Sequence, residues 1–215
     1  MTVLQIDRAS TRFDPANGDE RALRDLFDAH HWLKLPALLD ASTLRRVQRG
    51  LAAATFTAVR HTNVTPPSVD VCMEPNAVSG MLELLCNDPV MLRAIESLTG
   101  CGPLARFSGF VYRLLPESGH HHNWHNDLIQ ERRLAMSINL EAHPYEGGIL
   151  QIRERESGRI IEEVSNTGPG DAIVFRIDEA LQHRATAVTA GVKTAFAGWF
   201  RGVDPLRRAL REGRG

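Results

Sequence analysis

After Gly102 the chain breaks into short apolar segments: ARFSGFVYRLL, LAMSINLEA, GGILQIRE, RIIEEV, DAIVFRI, RATAV and KTAFAGWF. The clusters PESG, HPYEGG, ESG, NTGPGD and TAG, rich in turn-forming residues, separate them. Several segments alternate in polarity or are rich in Val, Ile and Phe, which is the signature of strands with one face turned inward. Many short strands joined by such turns predict a β-sandwich or barrel.

The first hundred residues read instead as helices. DERALRDLFDAHHWLKL spaces Leu23, Leu26 and Phe27 on one helical face. WLKLPALL then predicts a short strand broken by Pro36. Asp40 is placed to cap STLRRVQRGLAAATF, where Leu44, Val47 and Leu51 share a face. Residues 57–74, with Pro66-Pro67 and no period, read as a loop. SGMLELLCNDPVMLRAIESLTG predicts two more helices, the second opened by Asn87-Asp88-Pro89 and closed by Gly100. The expectation is one α+β domain over 1–215. Residues 20–101 form a mainly helical support, 102–202 a β core, and 203–215 a basic tail that is a solvated helix end or a partner site.

At 215 residues the chain is long enough to bury a substantial core. A net charge of −1 gives no reason to expect nucleic acid or a membrane surface as partner. Cys72, Cys86 and Cys101 form an odd, scattered set, which fits a reducing compartment better than a disulfide framework. The N-terminus lacks a secretory pattern, and no apolar run is long enough for a span, so the expected location is cytoplasmic. The oligomeric state is not legible.

The chemistry gathers around WHNDL, residues 124–128. If this stretch is a strand, His125 and Asp127 point to the same side and offer an imidazole and a carboxylate to one point. That is two-thirds of a 2-His-1-carboxylate facial triad, a site that leaves metal positions open for oxygen chemistry. An H-x-D pair alone is weak evidence. His183 lies beyond the strand DAIVFRI, and a jelly roll returns its later strands beside earlier ones. Lys193 opens the last strand, where a buried ammonium is expensive unless it gains a partner, such as a dicarboxylate co-substrate.

The set His125-x-Asp127, His183 and Lys193 resembles the Fe(II)- and 2-oxoglutarate-dependent dioxygenases, in their prolyl-hydroxylase-like branch. HRATAVTAGVKTAFAGWF is similar to that branch's ending, SINLEAHPYEGGILQI to its Gly-Gly stretch, and NTGPGDAIVF to its turn and strand before the distal histidine. LFDAHHWLKLPALLDASTLRRVQ resembles its helix, strand, helix opening, so the likeness spans roughly residues 20 to 202. The resemblance implies a double-stranded β-helix (jelly roll) core with supporting N-terminal helices. It implies Fe(II) held by His125, Asp127 and His183, and 2-oxoglutarate bound through its distal carboxylate by Lys193. Tyr112, on the strand before the H-x-D pair, is a further co-substrate partner by the same likeness. O2 is the oxidant, ascorbate an expected stimulant, and succinate and CO2 the expected co-products. Keeping Asp127 argues against a halogenase. The implied activity is hydroxylation of an unactivated C–H in a small molecule, a free amino acid, or a tethered or peptidyl substrate.

The sequence departs from the pattern in two places. Where some relatives carry Arg-x-Ser, this chain has Lys193 and Ala195, so a second donor to the distal carboxylate must come from elsewhere. The loop from Tyr112 to His125 is long and holds His120-His121-His122, read as a segment at the mouth of the site. Reading His120-x-His122 as the H-x-H of a cupin requires a nearby glutamate, and Glu131 is the first to follow. Two rival readings remain: a cupin-like metal-binding protein without redox chemistry, and a non-catalytic β-barrel binding module. Trp124 reads as pocket lining or packing, Trp199 and Phe200 as core, and Gly147-Gly148 as a turn. Arg106, Arg113, Arg132, Arg133 and Arg184 are candidates for holding a substrate carboxylate, or else surface partners of Glu131, Glu154 or Glu156.

Overall fold

The computed structural model describes residues 2–17, 19–61, 68–116 and 123–203. A small hairpin, β1 (Leu4–Ile6) and β2 (Thr11–Phe13), precedes the first helix and was not expected from the sequence. Helix α1 (Glu20–His30) starts where the Asp19 carboxylate accepts the Ala22 N–H. It ends at His31, a left-handed residue whose N–H reaches the Phe27 carbonyl. Strand β3 (Trp32–Leu35) and helix α2 (Ala41–Ala52) follow, with Asp40 capping α2 through the Thr43 N–H at 2.7 Å. Helix α3 (Ala77–Cys86) opens on a reciprocal Asn76–Ser79 cap. Helix α4 (Pro89–Thr99) opens on Asp88 with proline in its first turn and closes on Gly100 at φ 58°.

Residues 57–74 are largely a hairpin, not a loop: β4 (Phe56–His61) pairs antiparallel with β5 (Ser68–Met73). Val71 and Cys72 of β5 then pair with Arg113 and Tyr112 of β6 (Leu104–Leu114), so the hairpin extends the main sheet. Burial on the sheet supplies what the local sequence pattern did not show. Pro66-Pro67 lie outside the described residues. The same holds for His120, His121 and His122, and for the tail from residue 204.

The second half carries β7 (Arg132–Asn139), β8 (Glu146–Gly147), β9 (Leu150–Glu154), β10 (Ile160–Val164) and β11 (Ala172–Arg176). It ends with β12 (Leu181–Ala185), β13 (Val188–Ala190) and β14 (Lys193–Gly202). A seven-stranded sheet runs β3-β11-β7-β14-β6-β5-β4, opposed by a three-stranded sheet β10-β9-β12. An isolated antiparallel bridge adds His125 beside His183, and β13 pairs with β8. This is the jelly-roll core with helices on one side.

Period two sorts the side chains of the large sheet. Phe107, Val111, Leu134, Met136, Ile138, Val174, Phe196 and Phe200 pack against Phe27, Leu82, Met91, Ile95 and Leu98 of the helices. Each fully buried Phe or Leu contributes about 1.5–3 kcal/mol. The opposite face carries Tyr112, Leu114, Ala135, Ile173, Phe175, Ala195 and Trp199 toward the small sheet. The site lies between the two sheets. Among the described residues no helix is long and apolar enough to cross a membrane. The three cysteines are free, and Cys86 is buried.

Candidate metal centre and co-substrate pocket

His183 sits mid-strand in β12, opposite Ile152, with its ring edge-on to Phe175 at 4.7 Å. His125 reaches the same place through one bridge: its N–H donates to the His183 carbonyl at 3.1 Å, and His183 returns the bond at 2.8 Å. The two rings lie 4.3 Å apart. His125 Nδ1 lies 2.6 Å from the Asn123 carbonyl. A carbonyl only accepts, so Nδ1 carries the proton and Nε2 is left with its lone pair.

Asp127 corrects the strand reading of WHNDL. It is not on a strand; its φ is 56°, in the left-handed region, and Gln130 and Glu131 share that conformation at 52° and 58°. The chain turns sharply after the bridge, and this turn brings the carboxylate back. Asp127 Oδ2 lies 3.7 Å from His125 Nε2 and 3.5 Å from His183 Nε2. The three ligand atoms fall within 4.8 Å of one another. Burial alone pushes the Asp127 carboxyl up, but hydrogen bonding to His183, the electrostatic influence of the two neighbouring histidines and the Trp199 indole outweigh it and hold it at about 2. Two imidazole nitrogens and one ionised carboxylate, converging from three directions, fit a divalent iron site with open positions.

Trp199, expected to be core, donates its indole N–H to Asp127 Oδ2 at 2.6 Å. Arg132 donates to Asp127 Oδ1 at 3.1 Å, and its guanidinium lies 3.5 Å over the Trp199 ring. No local signal in the sequence marks either contact. Period two on β14 is the one clue to Trp199, since Lys193, Ala195, Ala197 and Trp199 share a face.

A cavity of about 120 Å³ runs between the sheets, and the triad, Tyr112, Ser137 and Lys193 all line it. The rest of its wall is mainly apolar, including Phe110, Ile173, Phe175 and Trp199. Lys193 donates to the Gly148 carbonyl at 2.5 Å, and among the described residues no carboxylate pairs with it. Burial pulls its ammonium down to about 8. Gly147 and Gly148 have φ of 76° and 62°, and a Cβ on Gly148 would meet the lysine stem at 2.8 Å, so the turn needs glycine there. Tyr112 faces Ala195 across the β6–β14 pair and hydrogen-bonds Ser137, and burial raises its phenol.

Of the candidate substrate arginines, Arg184 lines this cavity; the others do not. Arg113 stacks on Phe56 at 3.7 Å, Arg133 pairs with Glu131 at 3.5 Å, and Arg106 faces Arg201 across the sheet. Arg184 bonds Gln151 at 2.7 Å and packs over Trp124, as Arg153 does, at 4.5 and 4.4 Å. Trp124 thus lies against two guanidiniums, one of them at the cavity wall.

The double-stranded β-helix and its 2-His-1-carboxylate cluster suit a mononuclear metal site. Residues 109–201 match the family model described as the 2OG-Fe(II) oxygenase superfamily. The matched stretch contains His125, Asp127, His183 and Lys193, so over its site-bearing strands the chain is similar to 2-oxoglutarate-dependent dioxygenases, which use iron as cofactor and 2-oxoglutarate as co-substrate. Its fold is similar to that of a 2OG-Fe(II) oxygenase family oxidoreductase from Burkholderia pseudomallei, with TM-score 0.66 and 16% identity over 92% of this chain and 95% of that one. A Pseudomonas putida prolyl-4-hydroxylase gives 0.64 and 18% over 86% and 100%. A Trichoplax adhaerens prolyl hydroxylase, solved with a hypoxia inducible factor peptide fragment, gives 0.65 and 15% over 91% and 94%. No curated protein matches the chain in sequence.

Proposed function

We propose that His125, Asp127 and His183 hold Fe(II), and that Lys193 receives the distal carboxylate of 2-oxoglutarate, with Tyr112 lining the same subsite. The reaction is hydroxylation of an unactivated C–H in a small molecule, amino acid, or tethered or peptidyl substrate. The observation that carries this reading is the shared cavity: the triad and a carboxylate-free lysine line one chamber between the sheets.

When bound, the iron and keto acid supply the oxidising chemistry: 2-oxoglutarate and O2 become succinate and CO2 as one oxygen atom enters the substrate C–H bond. The protein's residues do the rest. Lys193 offers a cation that has lost much of its hydration, so it gains more from a carboxylate than an exposed lysine would. Phe110, Ile173, Phe175 and Trp199 keep the chamber apolar and limit water near the reacting centre. Asn123 holds His125 in the tautomer that ligates through Nε2.

The test is an anaerobic titration of metal-free protein with Fe(II) and then 2-oxoglutarate, followed by visible absorption. A weak charge-transfer band that needs both, and is absent in Asp127→Ala, is the expected result. Tight iron binding with no band would overturn the co-substrate assignment and favour a metal-binding protein without this chemistry.

A further inference from the structure

Asp127 has less backbone support than either histidine. It lies past the single bridge, in a left-handed conformation that L side chains adopt only where the surroundings hold it. The enforcement comes from two strands, one that follows directly and one 72 residues along the chain. Trp199, on β14, takes one lone pair of Oδ2 at 2.6 Å, and Arg132, at the start of β7, takes Oδ1 at 3.1 Å. The two clamping groups also hold each other, guanidinium over indole at 3.5 Å. The Arg132 side chain is only 11% exposed, a costly place for a guanidinium unless its carboxylate partner stays in position.

We infer that Trp199 and Arg132 are positioning residues that fix the Asp127 carboxylate, with Oδ2 presented to the two imidazoles and Oδ1 withheld from a metal. This rests on the triad reading above. Oδ2 faces His125 Nε2 and His183 Nε2, at 3.7 and 3.5 Å. With Oδ1 engaged by the guanidinium, the aspartate gives one donor atom and leaves the other metal positions to the co-substrate and oxygen. The Asp127–Arg132 pair is neutral overall, so a divalent ion there presents most of its charge to a dianionic keto acid.

The experiment is calorimetric titration of metal-free protein with Co(II), together with the metal-free thermal midpoint. The variants are Trp199→Phe, Arg132→Met and Arg132→Lys. Trp199→Phe keeps an aromatic ring and loses the donor; its Co(II) dissociation constant should rise about 10- to 100-fold with the midpoint nearly unchanged. Arg132→Met should show a similar rise, and Arg132→Lys should recover part of it. Wild-type affinity in all three overturns the inference, as does an affinity loss that merely tracks a falling midpoint. Should Trp199→Phe not fold, equal affinities of the two Arg132 variants overturn it alone. A wild-type protein that binds no Co(II), or Asp127→Ala binding it as tightly, would instead sink the triad reading.

Discussion

His183 and the His125–Asp127 segment build one site from opposite kinds of support. His183 is locked in a ladder: β12 pairs with β9 over five residues, and Leu181 and Ala185 beside it are buried. His125 has one bridge, and Asp127 has a turn held by side chains from elsewhere. A ladder fixes a ligand through the fold itself. A clamped turn fixes it through a few replaceable contacts, so the two halves of the site should fail differently.

The largest effect that probes this contrast is Asp127→Ala. It removes the anionic ligand and should abolish metal-dependent succinate release while leaving the fold intact; residual turnover near wild type would break the picture. Lys193→Ala comes next. It should raise the 2-oxoglutarate KM by on the order of 100-fold, the scale of removing one partner of a desolvated charge pair, with Co(II) affinity unchanged. Unaltered KM would remove Lys193 from the site.

The lysine also sets a pH dependence. Its ammonium is held at about 8 in the co-substrate-free protein, and an anionic partner would raise it. Binding therefore takes up a proton above that pH, and the 2-oxoglutarate dissociation constant should climb up to tenfold per unit beyond about 8. Lys193→Arg stays charged and should bind with a flat profile over the same range. A wild-type profile as flat as arginine's would contradict the assignment.

Stability sharpens the comparison directly. His183→Ala should lower unfolding free energy by about 1–3 kcal/mol, because it empties a buried, packed position. His125→Ala should cost within about 0.5 kcal/mol, as expected for a half-exposed side chain away from the core. Equal losses by thermal denaturation would show that the two ligands are supported alike. The smallest effect lies farthest away: Asp40→Ala should cost about 1 kcal/mol through the lost α2 cap and leave metal affinity unchanged.

Much of this was legible in the chain. Caps at Asp40 and Asp88, the stop at Gly100, and the strands from residue 104 on follow from local rules of donors, proline and period. His125, Asp127, His183 and Lys193 stand out in the sequence as a set because their residue types and spacing suit one chemistry, and the structure brings the four to one cavity. The 57–74 hairpin was not, since its strands gain their burial from β6, which lies far along the chain. The role of Trp199 is hidden in the sequence, because an indole on an apolar strand looks the same whether or not its N–H has a partner.

The sequence by itself determined which groups are available and which stretches extend or coil, because propensity, capping and periodicity act between near neighbours. Only the tertiary structure decided that the Asp127 carboxylate faces both imidazoles from a left-handed turn and that the indole of Trp199, 72 residues away, donates to it. It also put Lys193 and the triad in one chamber. The reason is physical: those contacts depend on sheet order and on the register of β14 between β6 and β7, which long-range pairing sets and no local pattern encodes.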